Sequence, residues 1–144
     1  MSRPFYESPK DRVNEKEVVE KWLKEDSRYF VRKLRTKYIL DFGVFEKKTN
    51  KMVAAVEVRC RNVSPDAYPD IMCNLLKHRA ADMFNDLGIP TYFLVRFENG
   101  EIYSHKYVLD NGHYEIKLGG RTDRNDWEDI EPILCVPMKE FNKI

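Results

Sequence analysis

Tyr38-Ile-Leu-Asp-Phe-Gly-Val-Phe45 and Met52-Val-Ala-Ala-Val-Glu-Val-Arg-Cys-Arg61 are two β-prone runs separated by Glu46 and the polar stretch Lys47-Lys-Thr-Asn-Lys51. β-Branched and aromatic residues dominate both, and the polar stretch reads as a hairpin turn. Strand alternation divides each run into two faces. In the second run Ala54, Val56, Val58 and Cys60 make a uniformly apolar face. Val53, Ala55, Glu57, Arg59 and Arg61 make a face that starts apolar and turns charged. In the first run Leu40, Phe42 and Val44 oppose Ile39, Asp41, Gly43 and Phe45. An odd-length turn near Thr49 then sets Asp41 opposite Glu57 on one face.

Helices are expected on both sides of this hairpin. Upstream, Asn14 fits a helix N-cap and Glu17 completes a capping-box spacing. Val18, Val19, Trp22 and Leu23 follow as one apolar stripe, so the first helix is expected over about residues 14–26. Residues 1–13, with two prolines and mixed charge, read as an arm ahead of a single domain over 14–144. Between helix and hairpin lies the basic, aromatic-laced stretch Arg28-Tyr-Phe-Val-Arg-Lys-Leu-Arg-Thr-Lys37. Downstream, a long helix is expected from about Ala67 to Leu87, ended by Gly88 and Pro90. Thr91 to Phe97 and Glu101 to Val108 form a hairpin about Asn99-Gly100. His113 to Leu118 is a further strand after the Asn111-Gly112 turn. Pro132 to Val136 closes the chain as an edge strand, because prolines flank it. The order predicts an α/β or α+β sheet with helices packed on it.

Composition narrows the functions open to this chain. Its 144 residues leave no room for two full cores. With 42% hydrophobic and 34% charged residues and no low-complexity tract, disordered and fibrous classes are excluded. No apolar run approaches the roughly 20 residues that span a bilayer, and Met1-Ser-Arg-Pro-Phe-Tyr6 has no apolar signal core. The expectation is a cytoplasmic protein with no membrane contact. A net charge of +1 means that nucleic-acid binding would need a local basic patch. Cys60, Cys73 and Cys135 are odd in number and form no CxxC pair, against both a disulfide framework and a zinc site. They are expected to be small buried hydrophobes. His78, His105 and His113 lack metal-ligand spacing, and phosphate-binding glycine loops are absent.

The chemistry therefore concentrates on the hairpin. Carboxylates directly opposed across two strands, with Cβ atoms about 5 Å apart, repel each other. A divalent cation between them removes that repulsion, and Mg²⁺ accepts such oxygen ligands while keeping several waters. With Arg59 two residues along as an electrostatic clamp, the set suits in-line attack of water on a phosphodiester. The spacing alone leaves a second reading open, in which Asp41 and Glu57 face solvent and Glu57 pairs with Arg59 or Arg61.

This pattern, Asp41 followed on the next strand by Val-Glu57-Val-Arg59-Cys-Arg61-Asn, resembles the PD-(D/E)XK nuclease superfamily. The later helix with Tyr68 and Lys77, Gly88-Ile-Pro-Thr-Tyr-Phe-Leu-Val95, the Asn99-Gly100 hairpin and Gly119-Gly-Arg-Thr-Asp-Arg124 resemble small phage and environmental-virus nucleases. The resemblance implies a restriction-endonuclease-like α-β-β-β-α-β core, with a mixed sheet flanked by helices. It implies a metal-dependent DNA endonuclease or exonuclease, using Mg²⁺ or Mn²⁺, in a host cytoplasm if phage-encoded. Asp41, Glu57 and the Val58 carbonyl would hold the metal. Glu15, on the inward stripe of the first helix, would reach the site through water. Arg59 stands where the superfamily usually has lysine; arginine stays protonated and cannot act as a base. Lys77 is a candidate replacement for that lysine. Arg61, Tyr68, Lys77, Arg79 and Arg121 would line a DNA track, flanked by residues 28–37 and Arg124. The resemblance leaves room for a homodimer. The Arg59 exchange keeps a rival open: an inactive nuclease-fold module that binds DNA or a protein partner.

Overall fold

A computed structural model describes residues 9–107, 114–119 and 131–144. Helix α1 spans Pro9–Trp22 and α2 spans Leu75–Asp86. The strands are β1 (Tyr29–Lys33), β2 (Phe42–Glu46), β3 (Met52–Cys60), β4 (Asp70–Asn74), β5 (Thr91–Arg96), β6 (Ile102–Lys106), β7 (Glu115–Gly119), β8 (Glu131–Pro137) and β9 (Asn142–Lys143). Six of them form a mixed sheet in the order β1-β2-β3-β5-β6-β9. A second sheet runs β4-β8-β7. Within the large sheet β3 and β5 are parallel, and the other neighbours are antiparallel. A parallel pair needs a crossover, and α2 lies within that connection.

The large sheet is covered on both faces, as its alternation demands. Val18 and Val19 of α1 are fully buried against Phe42, Val44, Ala54, Val56, Val58 and Leu94. Each such valine contributes about 1.5–3 kcal/mol by leaving water. On the other face, Leu40 and Ala55 pack on Ala80 and Phe84 of α2. Phe93 and Val95 meet Ile71, Cys73, Leu134 and Val136 of the small sheet. The mixed α/β architecture with two helices thus agrees with the sequence reading, although the strands divide into two sheets rather than one.

Several element boundaries differ from expectation for local reasons. Helix α1 begins at Pro9, a residue suited to the first helical position, so Asn14 lies inside it. It ends at Trp22, where Lys24 and Glu25 take positive φ values. The long second helix is shortened by β4. Ile71 and Cys73 are buried with period two while Met72 faces out, and the Asn74 side chain accepts a hydrogen bond from Leu76 N–H as the true N-cap. The strand at Pro132–Val136 is central, not an edge. Pro132 and Pro137 sit near its ends and leave its middle free to pair with both β4 and β7. The basic stretch after α1 contains β1, an edge strand. Cys60 is exposed, while Cys73 and Cys135 are buried as expected. The Asn111-Gly112 turn and Gly120 to Arg124 lie outside the described residues.

Candidate active site

Strand register brings the two acids together. Phe42 pairs with Val56 and Gly43 with Ala55, so the chain extends backwards to set Asp41 beside Glu57. The Asp41 N–H donates to the Val56 carbonyl at 3.1 Å. Val58 N–H donates to Asp41 Oδ2 at 2.9 Å, which fixes the side chain across the strand pair. The two carboxyl groups face each other closely enough that each perturbs the other's ionisation. Glu57 is only 3% exposed.

Two lysines reach the pair from different elements. The Asn74 cap starts α2 so that Lys77 lies in its first turn, on the side facing the sheet. Lys77 Nζ stands 3.2 Å from Glu57 Oε1 and donates to the Ile39 carbonyl at 2.5 Å. Ile39 has φ +72° and ψ −40°, and Leu40 N–H bonds the Tyr38 carbonyl across it. This is the strained, positive-φ form of the γ-turn, in which a β-branched residue is rarely found. Such strain costs about 1–3 kcal/mol and persists only where the surroundings hold it. Lys33, at the end of β1, places Nζ 3.3 Å from Asp41 Oδ1.

The electrostatics separate the two acids. Burial pushes Glu57 well above the usual carboxylate range, and the neighbouring Asp41 charge pushes it further. Burial also acts to raise Asp41. The hydrogen bond from Glu57, the Lys77 and Lys33 ammonium groups and the Val58 N–H outweigh it and hold Asp41 below its ordinary value. The two acids are thus driven apart in acidity, Glu57 upward and Asp41 downward. Glu57 Oε1 is buried and has no hydrogen-bond partner despite the nearby Lys77 charge. A buried carboxylate oxygen in this state fits a small hard cation better than it fits the ammonium.

The remaining expected residues divide. Arg59 is half-buried on the Glu57 side, and its charge acts on Glu57. It also lines a cleft of about 510 Å³ at the carboxyl end of β3, with Glu15, Val58, Cys60 and Arg96 among its neighbours. Glu15 enters that cleft from α1, on the sheet face opposite α2. Among the described residues, no three His, Cys, Asp or Glu side chains are arranged to hold a metal directly, and Glu15 lines the cleft beside Val58 and Arg59. Arg61 is half-buried, and burial followed by the Arg59 charge lowers its pKa. Tyr68 and Arg79 are exposed. Arg121 lies outside the described residues. Sequence reasoning missed Lys33 and the Ile39 turn. Recognising β1 as a strand would have supplied the register that places Lys33.

The family model described as "Phage putative PDDEXK endonuclease" matches residues 1–144. No curated protein matches the chain, and no solved structure matches it.

Proposed function

The chain belongs to this phage PDDEXK endonuclease family, and from that premise we propose that it hydrolyses DNA phosphodiesters with a divalent cation at Asp41 and Glu57. One observation carries the reading. Two carboxyl groups are pressed together at a buried point between adjacent strands, and one oxygen there lacks a hydrogen bond. Opposed carboxylates destabilise a sheet, and here the fold sets Lys33 and Lys77 beside them; a divalent cation would join that charge compensation.

Asp41 and Glu57 would hold Mg²⁺ or Mn²⁺, with the Val58 carbonyl as a further oxygen. The cation would supply Lewis acidity at the scissile phosphate. Lys77 takes over the task that Arg59 cannot perform in the usual lysine position. Its ammonium, fixed by the Ile39 carbonyl, orients the attacking water beside the acids. Arg59 offsets charge that develops on the phosphate. Glu15, in the cleft beside Val58 and Arg59, would reach the metal through water.

The test is cleavage of single-stranded, duplex and branched DNA with Mg²⁺ and Mn²⁺, in wild type and Asp41→Asn. Cleavage by wild type alone supports the reading. No cleavage by wild type on any form would replace it with the inactive binding module, for which the loss of lysine at position 59 is the supporting feature.

A further inference from the structure

A second feature shares the sheet face of Asp41 and Glu57. By alternation that face also carries Gly43 and Phe45 of β2 and, across the pair, Phe30 and Arg32 of β1. The Phe30 and Phe45 rings stack 5.3 Å apart with planes 16° from parallel. The Arg32 guanidinium lies over Phe30, 5.4 Å from its centroid. Gly43 makes room for this ladder: a Cβ there would lie 2.8 Å from Phe45 Cε2. The ladder sits on the edge strand of the sheet, beside the part covered by α2. Phe45 is four residues along β2 from Asp41, or about 13 Å.

Charge reinforces the pattern. Residues 28–51 hold eight lysines and arginines against two acids, Asp41 and Glu46, in a chain whose net charge is +1. Lysine on an exposed edge is a common guard against edge-to-edge pairing. That guard explains the charge but not a guanidinium over a stacked pair of half-buried rings for which Gly43 makes room.

We propose that the β1 edge is a ledge for single-stranded DNA, holding unpaired bases a few nucleotides from the acid pair. The aromatic ladder offers unpaired bases a stacking surface, and Arg32 with its basic neighbours tracks the phosphates. Bases inside a duplex are already stacked and cannot reach the ladder. The ledge thus selects substrates with a single-stranded segment; this consequence for cleavage rests on the nuclease reading, whereas the binding does not.

The experiment is fluorescence anisotropy of the full chain with labelled dT20 and a 20-base-pair duplex, in EDTA so that no strand is cut. Wild type is expected to bind dT20 at least about tenfold more tightly than duplex. Stacking on one aromatic ring is worth about 5- to 150-fold when removed. Phe30→Leu, which keeps an apolar side chain, is expected to weaken dT20 binding about fivefold or more and duplex binding less than twofold. Arg32→Lys keeps the charge and the fold, removes the guanidinium from over Phe30, and is expected to show the same selective loss. Equal affinity for dT20 and duplex, or an equal effect of Arg32→Lys on both, overturns the proposal. Absence of cleavage on every DNA form would overturn the nuclease reading and leave the ledge standing. Duplex cleavage by a protein without dT20 preference would overturn the ledge alone.

Discussion

Glu57 and His105 are equally buried, each 3% exposed, yet their surroundings treat them in opposite ways. The His105 ring lies among Tyr107, Tyr114 and Phe141, and both its nitrogens are partnered. Nδ1 meets the Glu140 carbonyl at 3.0 Å and Nε2 the Tyr114 hydroxyl at 2.6 Å. A carbonyl can only accept, so Nδ1 carries the proton and Nε2 accepts from the tyrosine. Neutral imidazole satisfies that site completely. Glu57 instead faces another carboxyl group and keeps an oxygen without a hydrogen bond. A buried polar group that is fully partnered supports a fold. A buried acid left in conflict points to a ligand that the fold alone does not supply.

The largest effect that would break this contrast is at the acids. Asp41→Asn and Glu57→Gln are each expected to lower DNA cleavage by about 10³-fold or more, since they remove the charge that would hold the cation. Glu57→Gln should not lower the thermal midpoint of the metal-free protein appreciably, because burial and the Asp41 charge oppose its ionisation. Asp41→Asn should lower it modestly, because Lys77, Lys33 and the Val58 N–H favour the Asp41 carboxylate. A large stability loss with cleavage retained would make Glu57 a structural residue like His105.

The cations around the pair come next. Arg59→Ala is expected to lower cleavage by about 10²–10³-fold with divalent-ion affinity largely kept, as for loss of one preorganised electrostatic donor. Arg59→Lys should retain cleavage. Lys77→Met should lower cleavage by about 10²-fold or more and also destabilise, because it strands the Ile39 carbonyl over a strained turn. Steady-state cleavage with calorimetric Mn²⁺ titration separates these outcomes. Unchanged cleavage in Lys77→Met would return the lysine role to no residue and make Lys77 an apolar-face spacer with a charged tip.

How far the sequence disclosed this site depends on the kind of signal. The Asp41–Glu57 opposition was legible because alternation and an odd turn are local, and the observed register keeps the two in phase despite a bulge at Val44/Phe45. Lys77 was legible only as a candidate. Its direction depends on where α2 starts, and the Asn74 cap was hidden inside what reads as a longer helix. The small sheet was not legible, since the pairing of β4 with β8 joins residues far apart in the chain. For Glu15 the apolar stripe set only a face: Val18 and Val19 pack on the sheet side away from the acids, and Glu15 lines the cleft that also holds Val58 and Arg59. His105 gave no signal because its partners, Glu140 and Tyr114, come from unrelated segments.

Removing the satisfied partner tests the other half of the contrast. His105→Ala removes the His105 bonds to the Tyr114 hydroxyl and the Glu140 carbonyl together with a buried ring, and is expected to destabilise by about 1–3 kcal/mol in chemical denaturation. Cleavage per folded molecule should stay within about twofold. A cleavage loss comparable to that of Glu57→Gln would erase the distinction between the two regions.

The smallest expected effect is a pH dependence confined to His105. Burial holds its folded pKa below the ordinary 6.5, and the accepted bond at the Glu140 carbonyl only partly offsets this. Between the folded value and 6.5 the unfolded chain binds more protons than the folded one, so stability is present above 6.5 and falls as pH drops below it. The slope can reach at most about 1.4 kcal/mol per pH unit for one proton. Other groups titrate in acid too, Asp41 and Glu57 among them, so the informative quantity is a difference. Unfolding free energies of wild type and His105→Gln, measured from pH 7.5 down to 5, should converge as pH falls, because only wild type must exclude a proton from that ring. Parallel curves would mean that the imidazole takes up its proton in place, with the Tyr114 oxygen turning to accept from Nε2, and that the His105 site tolerates charge as the acid pair does.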